Sequence, residues 1–394
     1  MPIWKSNLIV CWFGMFVTGV GMSQIAPVLP LYINHLGIQD TALIEQFSGI
    51  AFGVTFIISA IFSPIWGQAA DRFGRKPMLL RASLGMALVI GSMGFAQNVY
   101  QLIGLRLLQG AITGYSTACT TLIATQTDME HAGWALGTLS TANVAGSLFG
   151  PMIGGYIGET FGLQNVFFIT GAMMLTAFIT TVLFVKESFI RLEQKVLSAK
   201  EIWNTVPSKS LTVIMFVTSF VLALALYSVE PIITVYVAQL ASNTSHVALV
   251  AGMVFSASGL ANIIAAPGLG RISDRIGPQK VMLAALAVAG LIFIPQAFVK
   301  DPWQLMMLRF LLGLAIAGLN PSVNTLVKKI TPEALIGRVF GFNIAAQYLG
   351  VFGGSILGGQ VAAYLGIKYI FFITSALLLL NAAWVYFKVY KNLA

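Results

Sequence analysis

A short charged segment occurs twice in this chain, each time wedged between long apolar runs. The stretch GQAADRFGRK at 67–76 returns at 270–280 as GRISDRIGPQK, and both copies read Gly-x-x-x-Asp-Arg-x-Gly. The likeness continues at a constant offset, with Arg106, Leu107 and Gly110 matching Arg309, Phe310 and Gly313. After one residue of slippage, Gly114, Thr121 and Leu122 match Gly318, Thr325 and Leu326. Gly137, Gly150, Gly154 and Gly155 match Gly341, Gly354, Gly358 and Gly359, and FFIT at 167–170 returns at 371–374. A chain duplicated in this way is expected to fold as two related halves that enclose a cleft and rock against each other.

The solvent of those halves follows from composition. Hydrophobic residues make up 57% of the 394 residues and charged residues only 9%, against roughly 25% charged in soluble domains. A water-soluble fold of this size cannot hide so much apolar side chain, so the bilayer is the expected environment. The 39 glycines agree, because small residues let membrane helices approach closely. The first apolar run is too long for a signal h-region, so no cleavable signal peptide is expected. Cys11 and Cys119 both fall inside apolar runs and read as buried thiols.

About 20 apolar residues cross the hydrocarbon core as a helix. Twelve runs qualify, near 7–34, 44–66, 77–97, 100–125, 132–158, 163–186, 211–240, 247–270, 279–299, 302–327, 335–363 and 366–388. The expected fold is all-α and integral to the membrane, with twelve spans in two pseudo-symmetric halves, 1–186 and 211–394. A polar cytoplasmic linker, 187–210, joins them. The net charge of +9 sits on alternate loops, which points to membrane orientation rather than nucleic acid. With the N-terminus inside, Lys5, the Arg72–Arg81 cluster, the linker, the Arg271–Lys280 cluster, Lys328, Lys329, Arg338, Lys388 and Lys391 are all cytoplasmic. Only Lys300 and Lys368 fall on the opposite loops. The positive-inside rule therefore places both termini in the cytoplasm.

Several positions stand out against the apolar background. Asp71, Arg72, Gly74, Arg75 and Lys76 make a tight charged turn after Gly67, and Pro77 restarts a helix. Arg106 lies inside span 4, where a charge is costly and marks a functional candidate. Its repeat, Arg309, argues instead for a residue that belongs to the fold. Span 5 carries Gly146, Gly150, Pro151, Gly154 and Gly155, small residues at helical spacing plus a kink. Pro27 and Pro30 are expected to break the outer end of span 1. Glu230, in span 7, reads as the only carboxylate deep in the membrane. Hydrocarbon favours the protonated acid, and water or a cation releases the proton. A cationic solute and a proton can therefore compete for one carboxylate.

The charged turn, in the form G-x-x-x-D-R-x-G-R-K-P between spans 2 and 3, resembles the signature loop of the major facilitator superfamily, and the resemblance extends over essentially the whole chain. It implies a conformational latch made by Gly67, Asp71, Arg72, Gly74, Arg75 and Lys76, with a weaker copy at Asp274 and Arg275, where Pro278 and Gln279 replace Arg75 and Lys76. In that latch the loop acid caps a helix of the other half, and Arg75 pairs with Asp128. The stretch around Arg106 is similar to the family motif linked to proton transfer. G-x-x-x-G-P-x-x-G-G in span 5 looks like the motif of drug:proton antiporters, and its repeat has Ser355 in place of Pro151. Related exporters carry an acid at the place of Glu230.

The resemblance implies a proton-coupled exporter of lipophilic, often cationic drugs, most like the multidrug and fluoroquinolone efflux subgroup of bacterial inner membranes. Glu230, Arg106 and Asp128 are the expected proton-coupling residues. The expected cleft wall is apolar and aromatic, suited to varied ligands. Its candidates are Met22, Gln24, Tyr32, Phe52, Tyr115, Asn143, Tyr227, Glu230, Phe255, Asn262, Asn320 and Gln347. The alternatives are export of a specific sugar, metabolite or lipid on the same fold and, remotely, a membrane sensor or enzyme. No Walker lysine loop, serine elbow or metal-spaced His/Cys/Asp cluster appears. No cofactor, metal or nucleic acid is expected, and family members usually act as monomers.

Overall fold

The computed structural model describes residues 2–187, 189, 203, 209–241, 246–331 and 335–390. Among these there is no β-strand, and the helices fall into twelve spans. Hydrocarbon supplies no water to backbone N–H and C=O groups, so each spanning segment must satisfy its own, as a helix does. Leu88, Leu183, Leu291 and Leu380 stand more than half exposed, as lipid contact allows and water would penalise. The chain is a multi-pass membrane protein with the expected fold. The expected linker at 187–210 lies almost wholly outside the described residues.

Nine helices among the described residues are long and apolar enough to cross a membrane. The other three spans are shorter or more polar. Span 3, Arg75–Met93, carries Arg75, Lys76 and Arg81; span 4 is divided; span 5, Met129–Thr160, is rich in glycine, serine and threonine.

Every third span is broken. Span 1 consists of Ile3–Ser23 and Ile25–His35. Span 4 is Val99–Ile112 and Tyr115–Gln126, with Gly114 between them at φ 125°. Span 7 runs Lys209–Val229, a 3-10 turn Glu230–Ile232, and Ile233–Leu240. Span 10 is Pro302–Ile316 and Leu319–Ile330. The break in span 1 lies at Gln24, upstream of the two prolines expected to cause it. Pro27 has no N–H to give the carbonyl of Ser23, four residues back, so the ladder opens there and Pro30 stays inside a helix. Interrupted helices at membrane depth persist only where protein buries them or they line a polar cavity, which makes these spans the places to look for a site.

The repeat is visible bond by bond. Span 4 opens with a capping box in which Asn98 Oδ1 accepts from Gln101 N at 3.0 Å and Gln101 Oε1 accepts from Gln97 N at 2.8 Å. Span 10 opens with the same device, Asp301 Oδ1 accepting from Gln304 N at 2.9 Å and Gln304 Oε1 from Lys300 N at 2.9 Å. Such reciprocal caps satisfy donors that a helix start leaves free. Tyr32 donates to Met93 O at 2.7 Å and packs on Phe167, while Tyr236 donates to Gln296 O at 3.0 Å and packs on Phe371.

Two compact units result. One comprises Met1–Gln39, Ile57–Glu193 and Asn243–Ser256; the other comprises Asp40–Phe56, Gln194–Ser242 and Ala257–Ala394. Within each unit a glycine stripe sets the closest helix pairing. In the first, a methyl group on Gly146 would sit 2.6 Å from Phe16 O, and one on Gly154 would sit 2.6 Å from the Gln24 Cβ. In the second, Gly350, Gly354 and Gly358 of span 11 lie against the backbone of Phe220, Leu224 and Ser228 of span 7. The outer face of each stripe takes the exchanged segment: Gly155 meets Ala248 in the first unit, and Gly359 meets Glu45 in the second.

Candidate functional site

The break in span 7 builds a site inside the second unit. Pro231 cannot give an N–H to the Tyr227 carbonyl, and the chain tightens to the 3-10 turn that carries Glu230. Glu230 is partly exposed. Tyr227, one turn earlier, lies within its electrostatic reach. Phe52 and Phe56 of span 2 each place a ring 6.2 Å from that of Tyr227, and Tyr348 of span 11 stands 5.8 Å from Phe56. Arg309 of span 10 is buried, its Nε and Nη2 have no hydrogen-bond partner among the described residues, and no ion pair within 4.0 Å joins it to Glu230. A carboxylate one helical turn from a cluster of aromatic rings can take an organic cation, with the charge on the acid and the flat apolar part on the rings.

Of the expected wall residues, the structure brings Phe52 and Tyr227 together, one helical turn before Glu230. Phe56 and Tyr348 join them without having been singled out, although Phe56 lies one helical turn beyond Phe52 and Tyr348 follows Gln347. Gln347 is partly buried on the same span, and Asn320 is exposed. Within the first unit Gln24, Tyr32 and Tyr115 are engaged in packing. Gln24 bonds Thr170 Oγ1, Tyr32 is fully buried on Met93 O, and Tyr115 meets Thr181 Oγ1 at 3.2 Å. Asn143 is exposed and Phe255 partly buried there. Glu230 is also not alone as an acid inside the bundle, because Glu45, near the start of span 2, is 3% exposed. Its position one turn into the helix made it read as a helix-end residue.

Arg106 has a different setting. It is 1% exposed, and its Nη1 donates to Gln109 Oε1 at 2.6 Å. Gln109 Nε2 continues to Met22 Sδ at 3.4 Å, tying span 4 to span 1. Asp128 is exposed at the start of the span 5 helix, and its side chain makes no capping bond there.

The signature loop is held by a residue that sequence reading passed over. Glu187, just after span 6, accepts from Arg75 N at 2.8 Å and Lys76 N at 2.7 Å. A bidentate carboxylate on the first amides of span 3 satisfies donors the helix start leaves free and meets its positive dipole end. Gly74 turns the chain there with φ 93°. Arg75 pairs with Asp71 at 2.8 Å and donates to Ala70 O, so the structure does not bring it to Asp128. Lys76 Nζ reaches Val182 O at 3.1 Å, and Arg72 lies over Phe73. A methyl group on Gly67 would meet nothing within 4 Å. Arg275 is exposed, and the side chain of Asp274 lies outside the described residues.

The span 5 motif serves two faces. Gly146, Gly150 and Gly154 lie against span 1 from Phe16 to Gln24, while Gly155 and the carbonyl of Pro151 meet Ala248 and Gly252 at the start of span 8. Pro151 stays inside a continuous helix.

A family model described as Major Facilitator Superfamily matches residues 11–250 and 215–393. The multidrug resistance protein MdtG of Enterobacter lignolyticus (strain SCF1) is 43% identical over 382 residues, covering 97% of this chain and 91% of its own. MdtG of Proteus mirabilis (strain HI4320) is 43% identical over 388 residues, covering 98% and 96%. Among solved structures, a bacterial homologue of the human lysosomal transporter Spinster, in an inward-facing and unoccupied conformation, superposes with a TM-score of 0.80. It is 14% identical over 98% of this chain and 97% of that one, a likeness of fold.

Proposed function

The chain belongs to the major facilitator superfamily, and from that membership we propose that it is a proton-coupled exporter of lipophilic, often cationic drugs. The observation that carries the reading is the partly exposed Glu230 in the broken turn of span 7, one helical turn after Tyr227, whose ring packs on those of Phe52 and Phe56. The multidrug-resistance names of relatives 43% identical over nearly the whole chain support it. So does the span 5 motif, whose glycines sit against span 1.

In the proposed cycle, halves 1–186 and 211–394, joined by the linker at 187–210, rock to open the site alternately to each side. A drug entering from the cytoplasm or inner leaflet displaces the proton of Glu230. The drug leaves on the far side, and a proton from there resets the carboxylate. Arg106 and Asp128 stand as further coupling candidates, and the loop of Gly67, Asp71, Arg72, Gly74, Arg75 and Lys76, with Asp274 and Arg275, as the latch. The basic loops and both termini face the cytoplasm of a bacterial inner membrane. The carrier works as a monomer, without catalysis.

The test is ethidium movement in vesicles energised by an imposed pH gradient. Wild type is expected to export the dye and Glu230→Gln to lose at least tenfold of the pH-driven rate while still binding dye. Equal rates in the two proteins would remove Glu230 from the mechanism.

A further inference from the structure

Two polar side chains near the start of span 2 have no match in the repeat. At the offset of the two charged loops, Gly49 and Pro64 return as Gly252 and Pro267, but Glu45 returns as Ala248 and Ser48 as Ala251. The packing at the two places is the same. Within the second unit Gly49 meets Ser355 and Gly359 meets Glu45; within the first, Gly252 meets Pro151 and Gly155 meets Ala248. Glu45 is 3% exposed and Ala248 2%. An alanine therefore does all that close packing asks of this position, and the carboxyl is an addition to it.

The protein satisfies neither addition. Glu45 makes no hydrogen bond or ion pair with another described residue, and the buried Ser48 Oγ has no hydrogen-bond partner among them. Three residues apart on one helix, the two share a face. Glu45 also lines a cleft of about 440 Å³, closed by the ends of spans 7 and 11 and the start of span 12, all within the second unit. Few titratable or charged groups face it. Tyr236 of span 7 spends its hydroxyl on Gln296 O. Lys368 and Tyr369 of span 12 are exposed at the rim, and span 11 brings none. Asp40, just before span 2, is exposed and accepts from Ala42 N. A buried acid that borders a cleft and has no partner in the protein is placed to exchange a proton with water.

We propose that Glu45 is a second proton-binding carboxyl, exchanging with water on the outer side, and that its protonation permits the emptied carrier to turn inward. The cleft stands at the end of the bundle opposite the basic loops, which is the outer end in the orientation proposed above. An ionised carboxylate without a partner is costly to shut away from water, and the neutral acid costs far less. A proton from outer water forms the O–H bond at Glu45 that lets the cleft dry as the carrier turns. When the cleft opens again the bond breaks and the proton returns to the same side, so the number carried across by Glu230 is unchanged. This inference rests on the exporter reading and adds control of its reset by the outer pH.

The experiment is ethidium export by vesicles of full-length protein, with the pH on the inner side of the carrier fixed and the outer pH varied. Wild-type export is expected to fall as the outer pH rises. Glu45→Ala and Glu45→Gln are neutral at every pH, as the protonated acid is. Both are expected to move the midpoint of that fall upward by about one unit, a tenfold change in proton equilibrium. Glu45→Asp keeps a carboxyl and is expected to keep the pH dependence. Ala248 at the matching place argues that Glu45→Ala folds, and Glu45→Gln fills the same space if it does not. A midpoint unmoved in both neutral variants overturns the inference, as does an equal shift in Glu45→Asp, which would mark a steric role. A wild type that moves no dye overturns the exporter reading. The infrared band of protonated carboxyls then decides Glu45 by itself. A band that titrates with the outer pH in wild type and is lost in Glu45→Ala supports the proton site, and identical spectra overturn it.

Discussion

Phe52 is a wall residue of the proposed site. It is 6% exposed, as buried as many core side chains, yet its ring packs on that of Tyr227, one turn before Glu230. A cation over an aromatic face is worth about 0.5–2 kcal/mol. Phe52→Ala is therefore expected to raise the KM for ethidium by about 2- to 30-fold at little cost to the saturated rate, measured by transport kinetics. An unchanged KM would put the ring outside the site. Tyr32 looked equally promising as an aromatic near prolines in a first-half span, but its hydroxyl is spent on Met93 O. Both are aromatic residues of first-half spans. What separates them is which way each helix is turned, and that is set by the neighbours it packs on.

Elements repeat more faithfully than the groups inside them. Spans 4 and 10 share a capping box, legible in Asn98 with Gln101 and Asp301 with Gln304, and both are broken in the middle. The breaks are nonetheless made differently. Gly114 has φ 125°, a backbone that residues with a Cβ adopt at a cost of about 1–2 kcal/mol. Its repeat, Gly318, has φ −87° and carries no such strain. The break in span 4 is further held by Trp66 Nε1 donating to Ala111 O at 2.6 Å and Arg81 Nη2 donating to Thr113 O at 3.2 Å. Arg81 also lies 3.6 Å over the Trp66 ring. Gly114→Ala is expected to lower the melting temperature in detergent by several degrees, as a loss of this size does in proteins of a few hundred residues. No change would mean that the turn relaxes without strain.

The units of the whole molecule are not the two sequence halves. Asp40–Phe56 belongs with the second unit and Asn243–Ser256 with the first, so each half donates the start of one helix to the other's core. The glycine stripes make room for it, Gly359 against Glu45 and Gly155 against Ala248. A half expressed alone leaves its own stripe uncovered and its donated segment unpacked. Neither 1–190 nor 209–394 is expected to accumulate alone, whereas co-expression should restore both membrane protein and dye export if the linker acts only as a tether. Stable accumulation of a single half would show that the exchanged segments are dispensable to its core.

The sequence by itself determined the solvent, the spans and the repeat. A segment in lipid must satisfy its own backbone, so composition and run length suffice to place helices, and charge on alternate loops suffices to propose their orientation. The duplicated loop and glycines were enough to point to the family. Only the tertiary structure decided which polar side chains meet. Arg106 and Arg309 are alike in sequence context, but Arg106 bonds an amide of its own helix, while Nε and Nη2 of buried Arg309 have no hydrogen-bond partner among the described residues. Glu187 reaches the amides of a helix that began more than a hundred residues earlier. Those pairings depend on how each helix is rotated and set in depth. That is fixed by close packing along the glycine stripes, a property of two surfaces in contact that neither surface states alone.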